Sequence, residues 1–239
     1  MIRCLGTRRY PHIFLLLEAS AVNFLIFLGT VRDSEPPHPP RLGVRIARAC
    51  AAHLTSAGET TVKVVDPLEI DLPKAFKPHF SYRAGQAPQS LQSIAGLIEQ
   101  ADGFVMVSPE YNHSMSPALM DLLNHFGSSL FSYKPSAIVT YSAGQWGGSR
   151  AAIGMRSFLS ELGCLPVSAM VHIPHAQEVF DEDGCYRDSV DHAAWAKYMD
   201  RTFAQLLWWA NAARDRRHGM SDEGRPAPFK VSPLERDAP

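Results

Sequence analysis

The sequence "GFVMVSPEYNHSMSPALMDLLNHF", residues 103–126, places a strand, a turn and a helix in immediate succession. Residues 103–109 form a short apolar run of the kind that is covered on both faces in a parallel sheet. Ser116 followed by Pro117 is typical of a helix start, with the serine as N-cap and the proline as the first helical residue. A buried strand that passes directly into a helix is half of a βαβ unit, so this stretch predicts an α/β protein.

The same alternation continues on both sides of this unit. Because parallel neighbours need crossover connections, five strands alternating with five helices predict a doubly wound parallel sheet with helices on both faces. Ser149 is predicted to cap the fourth helix. The other strands are predicted at residues 23–29, 61–67, 136–142 and 166–174, and the helices at 41–57, 91–98, 117–126, 149–162 and 190–213.

One domain, residues 23–213, accounts for this pattern. Residues 1–22 form an extension of uncertain role, in which basic residues precede an apolar stretch. Glu18 interrupts that stretch, and a buried carboxylate is costly in lipid, so we expect no membrane segment, while a mitochondrial presequence stays open. Residues 214–239 are polar and rich in proline, and we predict a mobile tail.

Charge and cysteine usage narrow the class of partner. The chain of 239 residues has a formal net charge of −1 and a pI near 6.8, which predicts no nucleic-acid partner and a small molecule bound by local groups. Its four cysteines are scattered, with no CxxC pair and no histidine at ligand spacing. We therefore predict no metal site, no disulfide framework and a reducing, cytoplasmic location.

The turn "GTVRDS", residues 29–34, follows the first strand and is predicted to bind an anion. Glycine allows a tight turn, Thr30 and Ser34 carry hydroxyls, and Arg32 carries a positive charge beside the next helix start. The turn matches neither GxxxxGK[ST] nor GxGxxG, so a phosphate monoester is favoured over a triphosphate or a dinucleotide. An ordinary strand-to-helix turn is the alternative.

The turns after the third and fourth strands are equally unusual. "PEYNH", residues 109–113, combines a rigid proline with an aromatic ring and several hydrogen-bonding groups, which suits a planar ligand. "SAGQWGGSRA", residues 142–151, contains three glycines that let the backbone approach a ligand closely. Trp146 either shields this pocket or lies exposed or against another subunit. In a parallel sheet, turns at the carboxyl ends of the strands near the switch point share one ligand.

The segments "LGTVR", "SPEYNHSMSPALMDLLNHF" and "YSAGQWGGSRAAIGMRSFLSELG" together resemble the NADPH-dependent FMN reductase family, which includes azoreductases and quinone reductases. The resemblance covers residues 23–184 and implies a flavodoxin-like sheet of order 2-1-3-4-5. Threonine stands at position 30 where serine is common, and a proline-rich insertion lengthens the phosphate loop, which leaves open which of residues 33–41 contact phosphate. The resemblance implies an FMN phosphate held by Gly29, Thr30, Val31, Arg32, Ser34 and Arg41, and a flavin ring bordered by Pro109, Glu110, Tyr111, Asn112 and His113 and by Ser142, Ala143, Gly144, Gly147 and Gly148.

This resemblance implies an enzyme that takes hydride from NADPH or NADH onto FMN and reduces a flavin, quinone, azo compound or similar acceptor. Backbone amides near Gly147 and Gly148 would stabilise charge on the ring, and no side chain is required as a catalyst. Tyr111 and His113 are candidate proton donors, with packing or hydrogen bonding as the alternative role. The resemblance also implies a homodimer or homotetramer, with Trp146 and the aromatic last helix completing the pocket of a second subunit.

Two other classes of protein remain open at this point. A flavodoxin-like carrier would hold FMN without nicotinamide-dependent turnover, although such carriers usually have a TxTGxT loop and an acidic face. A binding domain that has lost flavin is the third possibility. Bleaching of the bound flavin by NADPH under anaerobic conditions distinguishes the enzyme from the carrier. FMN binding distinguishes both of these from a domain that has lost flavin.

Overall fold

A computed structural model of the protein describes residues 21–32, 41–221 and 224. Among these residues, no helix is both long and apolar enough to cross a membrane. The strands are β1 (Val22–Leu28), β2 (Thr60–Val65), β3 (Gly103–Tyr111), β4 (Ser114–Met115), β5 (Pro135–Tyr141), β6 (Leu165–Pro166) and β7 (Val171–Ile173). The helices are α1 (Leu42–Ser56), α2 (Gln89–Gln100), α3 (Pro117–Asn124), α4 (Ser128–Phe131), α5 (Ser149–Glu161), α6 (Ala176–Val179) and α7 (His192–His218), with short 3₁₀ turns at Pro67–Glu69 and His79–Ser81.

The strands form one sheet with the order β2-β1-β3-β5, and both β6 and β7 pair with β5 on its outer side. These pairs are all parallel. Since β5 is the predicted fourth strand and β6 with β7 the predicted fifth, the order 2-1-3-4-5 and the doubly wound class are confirmed. The two-residue strand β4 was not predicted, and it pairs antiparallel with the end of β3.

The predicted fifth strand, residues 166–174, is interrupted. After β6, the backbone N–H of Ala169 and the hydroxyl of Ser168 donate to Oε1 of Gln205 on α7, 3.2 and 2.8 Å away. These groups therefore bond to a helix side chain instead of extending the ladder to β5. The chain returns to the sheet only at Val171.

Two separate apolar cores cover the faces of the sheet, and alternate residues of β1 contribute to each. Phe24, Ile26 and Leu28 pack with α1 and α7, whereas Leu25 and Phe27 pack with α2, α3 and α5. Such alternation within a fully apolar strand is expected where both faces are covered. The carboxyl ends of the strands lie between these layers and carry the predicted turns.

Most predicted boundaries differ from the structure by one or more residues, and three of these differences bear on the predicted domain limits and helix caps. β1 begins at Val22, and α7 continues to His218, so the predicted start of the tail at residue 214 lies inside a helix. The extension up to residue 20 and the tail beyond Gly224 lie outside the described residues. Ser149 is the first residue of α5 and not its cap, because the N-cap is Gly148 in a left-handed conformation.

Candidate functional site

The three predicted turns lie side by side at one edge of the sheet. They follow β1, β3 and β5, which are adjacent and parallel, so their carboxyl ends meet. Pro109 on β3 is the direct partner of Tyr141 on β5, which sets the second and third turns next to each other. The sheet thus gathers the residues that the sequence proposed for one ligand.

The first turn packs against the neighbouring strand through Gly29. Its N–H donates to the Val107 carbonyl, 2.8 Å away, and a Cβ at this position would lie 2.8 Å from the same oxygen. Only glycine therefore fits here without moving the backbone. Thr30 is buried, whereas Val31 and Arg32 are exposed. Ser34 lies outside the described residues.

Arg41 links the first turn to the end of β2. Its Nη1 donates to the Thr30 carbonyl at 2.5 Å and to Oδ1 of Asp66 at 3.1 Å, and its Nη2 pairs with the second carboxylate oxygen. Among the described residues, the buried Nε of Arg41 has no hydrogen-bond partner. The guanidinium is thus mainly a structural tie to the end of β2. Sequence reasoning missed Asp66, although an acidic residue ending a strand beside the phosphate turn was a usable signal.

The N-terminus of α1 completes the first turn. Among the described residues, the N-cap Arg41 makes no side-chain capping bond and the first helical turn contains no acidic residue, so the amides at the start of α1 favour an anion. A Cβ at Gly43 would lie 2.7 Å from Thr30 Cγ2 and 2.7 Å from the hydroxyl of Tyr141. Tyr141, which the sequence did not single out, therefore packs directly behind this turn, and burial raises the pKa of its phenol.

The second turn is the tip of a tight hairpin between β3 and β4. Asn112 and His113 have φ values of 49° and 62°, and Tyr111 pairs with Ser114 across the hairpin. Two consecutive left-handed residues between antiparallel strands are the geometry of a type I′ turn. Asn112 and His113 are exposed, so the hairpin presents them to solvent at the rim.

Side-chain contacts join the first turn to the second. Nε of Arg32 donates to the Tyr111 hydroxyl at 3.2 Å, and its guanidinium carbon lies 5.6 Å from the centre of the Tyr111 ring. The two predicted ligand-binding residues are therefore bonded to each other. The phenol still has its own proton to donate.

Glu110 joins the second turn to the third. Its Oε2 accepts hydrogen bonds from the backbone N–H groups of Arg150 and Ala151, 3.2 and 3.4 Å away. Its other oxygen lies 3.6 Å from the Arg150 guanidinium. Glu110 thus serves as the cap of α5 that Ser149 was expected to provide, and its carboxylate is already bonded within the protein.

The third turn is compact, and several of its polar groups form hydrogen bonds with one another. Gly147 and Gly148 have φ values of 58° and 77°, and a Cβ at Gly148 would lie 2.7 Å from Thr140 Cβ. The hydroxyl of Ser142 accepts from the Gly147 N–H at 2.9 Å and donates to the Gly144 carbonyl at 2.7 Å. The Gly147 amide, expected to face a ligand, is therefore bonded inside the turn.

Other polar groups near this turn have structural partners. The carbonyl of Ala143 accepts from Gln177 Nε2 at 3.1 Å. His172 Nδ1 lies 2.8 Å from the Thr140 hydroxyl, and burial lowers the pKa of this histidine. Within the described part of the chain, no group of three or more His, Cys, Asp or Glu side chains could hold a metal ion.

The model of the NADPH-dependent FMN reductase family matches residues 22–178. The chain belongs to this family. The match begins with β1 and ends within α6, so it covers all three turns. The resemblance on which the sequence prediction depended is thereby confirmed.

Individual FMN reductase relatives match over shorter stretches. An NADPH azoreductase of Bacillus sp. (strain OY1-2) is 30% identical over 92 residues, which are 38% of this chain and 52% of that protein. An NAD(P)H-dependent FMN reductase of Pseudomonas aeruginosa is 35% identical over 101 residues, 41% of this chain and 55% of that protein. The chain therefore spans about half the length of the curated relatives it matches.

A solved structure supports the fold of this FMN reductase family member. The flavoenzyme NAD(P)H:(acceptor) oxidoreductase of Paracoccus denitrificans aligns with a TM-score of 0.62 at 19% sequence identity. The alignment covers 81% of this chain and 99% of that chain. The flavodoxin-like architecture predicted from the sequence is confirmed.

The residues at the edge of the sheet fit FMN, the cofactor of this family. A phosphate suits the start of α1 and the exposed cation of Arg32, and the buried Nε of Arg41 has no partner among the described residues. At Gly144, the position of a Cβ has no neighbour within 4 Å, so internal packing does not explain this glycine. The missing side chain leaves room for a flat ring to lie close to the backbone.

Proposed function

We propose that the protein is an FMN-dependent oxidoreductase. It takes a hydride from NADPH or NADH and passes two electrons to a flavin, quinone, azo compound or similar acceptor. The observation that carries this proposal is the junction of three turns at one sheet edge, tied by the Arg32–Tyr111 and Glu110–Arg150 contacts. When bound there, FMN supplies the redox chemistry, so the protein's task is binding, orientation and access.

The first turn is proposed to bind the FMN phosphate. We assign the phosphate to Thr30, Arg32 and the first amides of α1, with the buried Nε of Arg41 as a further donor. Gly29 lets the turn approach β3 closely enough for this arrangement. Ser34 remains a proposed phosphate ligand on the basis of the family resemblance.

The second and third turns are proposed to border the flavin ring. The backbone of Pro109 to His113 lies on one side, and Ser142, Ala143, Gly144 and Gly148 lie on the other. Because the Gly147 amide and the Glu110 carboxylate already have partners, we assign to these two residues the shape of the turn and not a direct bond to the ring.

Tyr111 is the stronger of the two candidate proton donors. Its oxygen accepts from Arg32, which leaves the O–H proton to be donated elsewhere and fixes the phenol at the rim. His113 lies exposed at the hairpin tip in a left-handed conformation. Two-electron reduction of a quinone to a hydroquinone also consumes two protons, and we propose that Tyr111 delivers one of them to an acceptor oxygen.

The decisive experiment is anaerobic mixing of the FMN-loaded protein with NADPH while the flavin absorbance is recorded. Bleaching of the flavin band, followed by its recovery when a quinone or azo dye is added, is the expected result. Stable FMN binding without bleaching by NADPH or NADH would favour the electron carrier. Failure of FMN to bind or to raise the melting temperature would refute both.

We further propose a homodimer or homotetramer in the cytoplasm. Exposed Trp208, Trp209 and Leu165 are three large apolar side chains that association would cover. The end of α7 that carries the two tryptophans packs near Pro135 at the start of β5, so it lies away from the turns of its own subunit. Light scattering of the purified protein tests the assembly, and a monomer with full turnover would refute it.

A further inference from the structure

Trp146 is a large exposed indole placed at the rim of the candidate flavin site. It belongs to the third turn, between Ser142 and Gly147, and 58% of its surface is exposed. An isolated exposed apolar residue is ordinary on a protein surface. Trp146 differs because its ring contacts Arg150, which is itself paired with Glu110.

A chain of contacts from Glu110 to Arg150 fixes this indole. The guanidinium carbon of Arg150 lies 4.6 Å from the centre of the Trp146 ring, within the range of a cation–π contact. Arg150 is held in turn by Glu110, whose carboxylate is bonded to the first turn of α5 and is only 11% exposed. The indole is thus positioned by a rigid element of the fold.

The space beside this indole is kept open. Gly144 precedes it in the turn, and a Cβ at that position would meet no atom within 4 Å. Gly147 and Gly148 follow it in left-handed conformations and carry no side chain that could cover the ring. More than half of the indole therefore stays available after Arg150 has made its contact.

We propose that Trp146 is a specificity-determining residue that stacks planar aromatic electron acceptors at the open side of the cofactor. This inference rests on the proposed function and names a substrate class for it. An electron-rich indole pairs well with an electron-poor bicyclic quinone, and an orientation fixed in advance lowers the entropic cost of stacking. A compact inorganic acceptor has no flat face and gains nothing from the indole.

The test compares two acceptors in the FMN-loaded enzyme with NADPH as donor. KM is measured for 2-methyl-1,4-naphthoquinone and for ferricyanide. The readout is the KM for the naphthoquinone divided by the KM for ferricyanide. In Trp146→Ala this ratio is expected to rise about tenfold, equivalent to about 1.4 kcal/mol of acceptor binding. Trp146→Phe keeps an aromatic face and is expected to stay within about threefold of the wild-type ratio.

Two further variants separate stacking from general damage. Trp208→Ala removes another exposed indole, which lies on α7 and contacts Trp209. Measured in protein whose assembly matches the wild type by light scattering, it is expected to leave the ratio unchanged. Arg150→Met removes the cation over Trp146 but keeps the backbone N–H that bonds to Glu110. It is expected to raise the ratio about threefold, because the indole loses its orientation and keeps its surface.

The outcomes distinguish this inference from the proposed function. Bleaching by NADPH with an unchanged acceptor ratio in Trp146→Ala overturns the stacking role and leaves the reductase assignment intact. An unchanged ratio together with a smaller assembly in light scattering assigns Trp146 to a subunit interface, which also overturns the inference. Absence of FMN binding in the wild type overturns both. If Trp146→Ala does not fold, the Arg150→Met ratio decides, and a wild-type ratio in that variant contradicts stacking.

Discussion

The buried amine of Lys134 makes the stability of this fold depend on pH in a predictable direction. Burial, followed by the nearby Arg217 guanidinium, lowers the pKa of Lys134 to about 7. Its Nζ donates to the carbonyls of Ile98 and Glu99 at the end of α2, 2.6 and 2.8 Å away. Between pH 7 and the ordinary lysine pKa of about 10.4, the unfolded chain binds a proton that the folded chain does not.

Raising the pH through this window therefore stabilises the folded protein at this site. With a folded pKa of about 7, the Lys134 contribution to the free energy of unfolding rises by roughly 3 kcal/mol between pH 6 and pH 9. Lys134→Met removes this titration and also removes two hydrogen bonds, worth about 1 kcal/mol each. The variant is thus expected to lose roughly 3 kcal/mol of stability relative to the wild type as the pH rises from 6 to 9.

Urea denaturation at pH 6, 7, 8 and 9 measures this difference, with the slope of each transition used to confirm two-state unfolding. Lys63→Met is the matched control, because Lys63 is exposed on β2 and its loss should leave the pH dependence of the wild type unchanged. A difference between the wild type and Lys134→Met that stays constant within about 0.5 kcal/mol from pH 6 to pH 9 would refute the reasoning. The amine would then be charged in the fold throughout this range.

Two further predictions concern the turns. Gly148→Ala should destabilise the protein by roughly 2 to 4 kcal/mol, because it places a side chain with left-handed backbone geometry against Thr140. Gly154→Ala, on the exposed face of α5, should stabilise the protein by about 0.5 to 1 kcal/mol, because alanine has the higher helix propensity. Thermal melts of both proteins check this, and equal melting temperatures would contradict it. Asp66→Asn should weaken FMN binding about tenfold, because Arg41 loses the charge that holds it against the Thr30 carbonyl. Titration of flavin fluorescence measures this affinity, and an unchanged dissociation constant would show that Arg41 needs no such support.

The fold was predictable because its elements are marked locally. The apolar run of β3, the cap at Ser116 and the glycine after β1 each specify an element without distant information. The interruption of the last strand could not be predicted in the same way. It depends on Gln205, which lies on a helix 36 residues after Ala169 and takes its backbone N–H.

The juxtaposition of the three turns was predictable, but the contacts of their residues were not. Adjacent parallel strands end at one edge of the sheet, so the sequence predicted that the three turns lie side by side. It could not show that Glu110 caps α5 or that Arg41 bonds to Asp66, since both contacts join turns that follow different strands. Charged residues near a proposed ligand were assigned to that ligand, and their competing partners inside the protein were invisible in the sequence.

The charged residues of the three turns bond mainly to other groups of the protein. Arg41, Glu110 and Arg150 form contacts that tie the first turn, the hairpin and the glycine turn to the sheet and to one another. The charged groups thereby make the edge rigid, while main-chain atoms, the Tyr111 phenol and the Trp146 indole remain to meet small molecules. A cofactor that carries its own chemistry needs such a fixed edge more than it needs reactive side chains. Substitutions in the ties should therefore change the affinity for FMN before they change the turnover of protein that is already loaded with it.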